Sequence, residues 1–269
     1  MQWEREPLLT GTPPTRPPMS PAELAILGIA GLLSGTLNAV AGGGTFFSFG
    51  ALLAVGLPPI TANATSAVAM VPGYVASAIA YRAEVGQVWR KAILLGFASA
   101  AGAVLGAMIL VMLDNETFAA FVPWLLLVAT LVFALGPRVS RLLPDRPHDD
   151  PGHRAAAAAV QFVMSIYGGF FGAGMGIMML ASLGLTEGQN FHRINALKHI
   201  LSTVIQTASI VVFLQGDVIS WPEALVLIVA VVAGGWFGVG VARRFPVSVV
   251  RAFVIATGAA LTAYYFLRA

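Results

Sequence analysis

The sequence predicts an all-α polytopic membrane protein. It is built as two inverted repeats of about five helical segments each, with short broken or re-entrant helices at glycine-rich breaks. Three observations carry this. The chain of 269 residues is 58% hydrophobic and 10% charged, with a mean hydropathy of +0.83, whereas soluble domains carry about a quarter charged residues. Leu24 to Tyr81, Ala92 to Leu113 and Ala224 to Ala242 contain no Asp, Glu, Lys or Arg. A bilayer core of roughly 30 Å needs about 20 helical residues, so these runs are long enough to cross it. They are apolar all round and lack the alternation a membrane β-barrel requires. Finally, one pattern occurs twice. Ala41-Gly42-Gly43-Gly44-Thr45 precedes Asn63-Ala64-Thr65-Ser66, and Ala173-Gly174-Met175-Gly176-Ile177 precedes Asn195-Ala196-Leu197-Lys198. The register is constant: 174 − 42 = 132, 195 − 63 = 132 and, for Trp89 and Trp221, 221 − 89 = 132. Gly102 and Gly106 map onto Gly234 and Gly238 at the same offset, which reads as an internal duplication.

Taken in order, residues 1–21 are Pro-rich and read as a disordered tail. They lack the basic-then-apolar layout of a signal peptide. The first repeat, residues 22–136, opens with a helix over Pro21 to Val40. Its Gly31 and Gly35 make a small-xxx-small face for close helix packing. Gly42-Gly43-Gly44 interrupts the chain, and a short segment from Thr45 to Val55 ends at Gly56-Leu57-Pro58-Pro59. A third segment runs from about Thr61 to Tyr81, with a kink expected at Pro72. The fourth is Ala92 to Leu113 and the fifth about Phe118 to Gly136. Residues 137–153 hold Arg138, Arg141, Asp145, Arg146, Asp149 and Asp150 and read as a cytoplasmic linker. The second repeat, residues 154–269, follows with segments Arg154 to Phe171, Ile177 to Leu185, Arg193 to Leu214, Pro222 to Ala242 and Val247 to Leu267.

Basic loops face the cytoplasm. Arg82, Arg90 and Lys91 mark one such loop, the linker a second, and Arg243, Arg244 and Arg251 a third. Asp114 with Glu116, and Asp217 with Glu223, mark two acidic loops on the other side. The basic Trp89 loop and the acidic Trp221 loop are repeat equivalents yet fall on opposite faces, so the repeats are inverted. Inverted repeats with interrupted helices are a plan of secondary transporters, with the site near the midplane.

The glycine segments, the Gly56-Leu57-Pro58 turn, the two Asn-Ala elements and the Gly216-Asp217-Val218 turn before Trp221 resemble those of the sulfite exporter TauE/SafE family, also described as the toluenesulfonate uptake permease family. The resemblance covers nearly the whole chain after Pro21. It implies a transporter of sulfur oxyanions or organosulfonates in the inner (plasma) membrane. Met175 departs from the triple glycine in the second copy.

Two readings stand for most of the polar and glycine positions. Gly42, Gly43, Gly44 and Thr45, and Gly174, Met175 and Gly176, either pack helices closely or free backbone N–H groups at helix N-termini for an anion. Asn63, Thr65, Ser66 and Asn195 either cap helices or line the substrate site. Lys198 either snorkels from a cytoplasmic loop or attracts an anion, because a charge within a span costs about 2.5–3.5 kcal/mol and needs a reason. His199 is either packed or a proton relay, and Gln206, two turns further along, faces the pathway. Tyr74, Tyr81 and Trp89 read as interface anchors or packing.

No nucleotide loop, intramembrane carboxylate pair or His/Cys cluster is present, and the cysteine count is zero. The sequence therefore predicts no enzyme, catalytic residue, metal or cofactor. Its net charge of +3 fits cytoplasmic loops rather than nucleic acid. The expected partners are a small anionic substrate and the lipid bilayer, with a homo-oligomer compatible. The reading is a secondary transporter, an exporter, working by alternating access between the repeats. The alternative is an uptake permease or channel for another small anion, a cation or an organic solute.

Overall fold

A computed structural model describes residues 18–40, 43–142, 151–186, 190–242 and 247–268. Among them the chain forms ten helices and no strand: α1 Pro21–Val40, α2 Thr45–Ala54, α3 Pro59–Ala80, α4 Arg82–Val111, α5 Asn115–Leu142, α6 Pro151–Phe170, α7 Met175–Thr186, α8 Phe191–Gln215, α9 Trp221–Ala242 and α10 Val247–Arg268. Four of them, over Pro21–Ala39, Arg82–Val111, Asn115–Val132 and His192–Gln215, are long and apolar enough to cross a membrane. Phe97, Met112, Val229, Trp236 and Phe237 are more than two-thirds exposed. A water-facing surface does not carry so many large apolar side chains, whereas a lipid-facing one requires them. The protein is a multi-pass membrane protein.

Helix starts follow local chemistry. Ser20 and Glu23 cap α1 reciprocally: the Ser20 amide donates to Glu23 Oε2 at 2.7 Å and the Glu23 amide donates to Ser20 Oγ at 3.3 Å. Ser220 and Glu223 bond at the start of α9 in the same Ser-x-x-Glu spacing. Glu223 is buried there, so it is a cap component rather than the open acidic loop the sequence suggested. Asp114 Oδ1 accepts from the Thr117 amide ahead of α5. α3 starts at Pro59, where proline's missing donor costs nothing, and continues through Pro72 as one helix.

Several sequence expectations change. The basic stretch Arg82 to Lys91 is not a loop; it is the first ten residues of α4, turned directly out of α3 at Tyr81. Val88 is buried while Trp89, Arg90 and Lys91 are exposed, so the segment is helical with one face inward. The polar stretch expected as a linker is helical at both ends, since α5 reaches Leu142 and α6 opens at Pro151. Its residues 143–150, the tail residues 1–17 and Gly42 lie outside the described residues.

The helix pairings come in mates under the 132-residue offset. α1 lies along α9 and α6 lies along α4; α3 packs on α8 and α9, α8 on α3 and α4; α5 pairs with α10. The first helix of each half thus packs on the fourth helix of the other. Glycines make these approaches possible. A β-carbon at Gly35 would collide with the Val231 carbonyl of α9, one at Gly106 with the Ile166 carbonyl of α6, and one at Gly102 would lie 2.5 Å from the Phe162 carbonyl oxygen. Helix backbones are therefore in contact, as small residues in membrane helices allow. Gly102, Gly106 and Gly234 serve packing, as the sequence favoured.

Candidate functional site

The two helix breaks meet in the interior. α2 and α7 are 10 and 12 residues long. At 1.5 Å per residue neither spans a bilayer. The break before α7 needs glycine for its backbone: Gly172 and Gly174 have φ of +70° and +75°, where a β-carbon is strained. The break before α2 is limited by space instead. Gly44 is in right-handed helical conformation, but a β-carbon on it would strike the Ser34 backbone of α1. Thr45 joins the two breaks. Its hydroxyl accepts from the Gly174 amide at 3.1 Å and donates to the Gly172 carbonyl at 3.4 Å.

Around this junction is a small cavity lined by Thr45, Asn63, Ser66, Gln206, Gly168, Gly169 and Gly172, with Phe49, Phe171 and Phe213 as apolar walls. The cavity has room for about one water. Asn63 Nδ2 donates to the Phe170 carbonyl, the last of α6, at 3.1 Å. Ser66 Oγ lies 2.7 Å from Ser48 Oγ, which donates to the Thr45 carbonyl at 3.2 Å.

A second polar cluster lies at the end of α1. Lys198 is fully buried, and its Nζ donates to Asn195 Oδ1 at 3.0 Å and to the Asn38 carbonyl at 3.4 Å. Both acceptors are neutral. Lys198 therefore does not snorkel to the surface; it turns inward onto the broken end of α1. Beside it His199 is buried with neither ring nitrogen hydrogen-bonded; its ring lies over Tyr81 at 5.8 Å and near Tyr74 at 6.3 Å. Tyr74 is fully buried and cannot be an interface anchor. Its hydroxyl sits between Asn38 and Gln206 without a well-formed hydrogen bond to either. Tyr74 and Gln206 are themselves equivalent under the offset, 206 − 74 = 132. They meet where α3 crosses α8 and link the two clusters.

The capping reading of the asparagines is overturned. α3 begins at Pro59 and α8 is capped by Asn190, whose Oδ1 accepts from the Arg193 amide. Asn63 and Asn195 sit one turn further in: Asn63 makes a tertiary bond to the end of α6, and Asn195 accepts from Lys198 one turn along its own helix.

The remaining candidates are spread out. Thr65 accepts from the Ser220 amide at 2.9 Å and ties α3 to the α8–α9 turn, away from the cavity. Met175 is buried in the apolar cluster with Met70, Tyr74 and Ile205. Gly43 and Gly176 are buried. Arg193 and His192 are exposed at the start of α8, and Trp89 and Trp221 are about half exposed, as membrane-interface side chains are.

The family profile described as Sulfite exporter TauE/SafE matches residues 27–265. The chain belongs to the sulfite exporter TauE/SafE family. Curated relatives agree in kind. A "Probable membrane transporter protein" of Haemophilus influenzae is 26% identical over 248 residues, covering 89% of this chain and 93% of the relative. One from Xylella fastidiosa is 28% identical over 234 residues, covering 84% and 87%. The Escherichia coli K12 protein "Probable membrane transporter protein YfcA" is 23% identical over 246 residues, covering 91% and 90%. The chain is thus a membrane transporter with a small-molecule substrate and the lipid bilayer as its surroundings.

Within this family member, sequence reasoning missed Asn38, Ser34 and Ser48. Asn38 and Ser34 are one turn apart on α1, both buried, and each leaves an oxygen without a donor. A polar pair spaced i, i+4 just before a glycine break was the available signal. Ser48 had none, because its role depends on α2 folding against α3.

Proposed function

We propose that the protein is a secondary transporter of small sulfur-containing anions, such as sulfite or organosulfonates, acting as an exporter by alternating access between inverted repeats. The observation that carries the anion is Lys198. A buried ammonium held, among the described residues, only by neutral groups beside a broken helix is a costly arrangement. An anion is the ligand that repays it, because it supplies the countercharge the protein withholds. The direction follows from the membrane potential: an inside-negative voltage drives an anion outward with about 2.3 kcal/mol per charge per 100 mV.

The mated helix pairings support the duplicated architecture, and the opposite charge of the repeat-equivalent segments, basic at Arg82, Arg90 and Lys91 and acidic at Asp217, supports inversion. The cavity's size supports a moving mechanism. A space for one water does not admit a sulfonate, so the breaks must part for the substrate to pass.

The test is the stability of the purified protein with sulfite, sulfoacetate, taurine and chloride, for wild type and Lys198→Ala. Selective stabilisation by sulfite or a sulfonate, absent in the variant, is the expected outcome. No stabilisation by any of these anions, or equal stabilisation of both proteins, sinks the reading.

A further inference from the structure

The two halves present the same device with different chemistry. In one, Lys198 Nζ reaches the Asn38 carbonyl near the end of α1. In the other, Asn63 Nδ2 reaches the Phe170 carbonyl at the end of α6, and Asn38 and Phe170 are equivalent, 170 − 38 = 132. The position equivalent to Lys198 is Ser66, 198 − 66 = 132. Where one half places an ammonium, the other has a short hydroxyl side chain and the cavity it lines.

The hydrogens of that cavity can be counted. Either hydroxyl can donate in the 2.7 Å Ser48–Ser66 contact; when Ser48 gives its one hydrogen to the Thr45 carbonyl at 3.2 Å, Ser66 donates to Ser48 and keeps its lone pairs for the cavity. Thr45 spends its hydrogen on the Gly172 carbonyl. Asn63 turns its amide nitrogen to the Phe170 carbonyl, and its Oδ1 accepts from none of the described residues. Gly168 and Gly169 also line the cavity. They lie in the last turn of α6, where carbonyls lack an i+4 amide within the helix. Thr45, Ser66 and Asn63 can therefore offer oxygen acceptors to the cavity they line with the end of α6, and the Gln206 amide on the same lining adds another oxygen. That set suits a small hard cation. Unwound backbone carbonyls and half-helix C-terminal ends at the break of a discontinuous helix coordinate Na⁺ in transporters. The available space matches one water or one bare ion of similar size.

We propose that the cavity between the end of α6 and helices α2 and α3 is a binding site for a small monovalent cation, sodium foremost, with Thr45, Asn63 and Ser66 among its ligands. The mobile ion does in the first half what the tethered ammonium of Lys198 does in the second. Both sit on the broken end of a first helix contributed by the opposite half, where the C-terminal dipole favours positive charge. The Tyr74–Gln206 contact lies between them.

The experiment is equilibrium binding of radioactive sodium to the full-length protein in detergent. It is done without sulfite or sulfonate, with choline replacing sodium at constant ionic strength and competition by Li⁺ and K⁺. Wild type is compared with Ser66→Lys and Ser66→Ala, each checked for monodispersity. The expected result is saturable binding at one site per chain, competed by Li⁺ better than by K⁺. It should be abolished by Ser66→Lys, which supplies its own ammonium, and weakened about tenfold by Ser66→Ala. Absence of saturable binding in wild type overturns the proposal, as does binding that both variants leave unchanged. If Ser66→Lys does not fold, the Ser66→Ala shift decides alone. Because no anion substrate is present, failure of this test leaves the sulfonate reading standing, and failure of the sulfonate test leaves this one standing.

Discussion

The two broken helices of this protein solve one problem in two ways. At the end of α6 a neutral amide, Asn63, and a one-water cavity meet the exposed carbonyls. At the end of α1 a full charge, Lys198, meets them directly. The backbone differs as well: the break before α7 depends on positive φ at Gly172 and Gly174, while the break before α2 depends on the lack of a side chain where Gly44 touches α1. Similar architecture has thus diverged into an electrically neutral half and a charged half. The two proposals give these sites ligands of opposite sign, a use such asymmetry would serve.

The largest expected effect tests the charged half. Lys198→Met should lower anion transport in proteoliposomes about a hundredfold, in line with 2–5 kcal/mol for a buried charge pair that loses one partner. Wild-type transport in this variant would erase the functional difference between the halves. Next in size is the backbone contrast. Gly174→Ala should destabilise by roughly 1–2 kcal/mol through its left-handed φ alone, with further strain because the new β-carbon sits 2.8 Å from Ala129. Gly96→Ala, with open space around it, should instead stabilise α4 by up to about 1 kcal/mol through helix propensity. Thermal unfolding of the two variants side by side reads both signs. Thr45→Val removes the bond that joins the breaks and should cost about 1–3 kcal/mol for the Gly174 amide it leaves unpaired, seen as a lower melting temperature at unchanged helicity.

The smallest effect is a control outside both sites. The Thr117 amide and hydroxyl hold the exposed Asp114 carboxyl below the usual carboxylate range. Its folded pKa is depressed, so its contribution is present above the unfolded pKa of about 3.9. It is lost as pH falls through the folded value. The melting-temperature difference between wild type and Asp114→Asn should shrink as pH drops below that range.

Much of this was legible in the chain. α1 was bounded at Pro21 and Val40 because an apolar run is stopped by glycines, α2 was short because Gly42-Gly43-Gly44 and Gly56-Leu57-Pro58 bracket it, and α7 starts at the second glycine-rich stretch. The family emerged from the duplicated glycine and Asn-Ala pattern. Arg82 to Lys91 misled because charge was read as loop, although a helix can carry charges on one face as it leaves the membrane. The asparagines misled because a cap and a buried side-chain partner use the same residue type, and only the proline at Pro59 and the cap at Asn190 show which helix turn they occupy.

The sequence by itself determined the solvent the protein lives in, the number and order of its helices, the offset of its duplication and the rarity of its inner charge. These depend on composition and on local backbone preference, which neighbouring residues set. Only the tertiary structure decided that Lys198 points to Asn38, that Asn63 points to Phe170, and that Thr45 bridges to Gly172 and Gly174. Each of those bonds spans more than 100 residues. Their partners are fixed by which helix of one half packs on which helix of the other, and no local pattern encodes that choice.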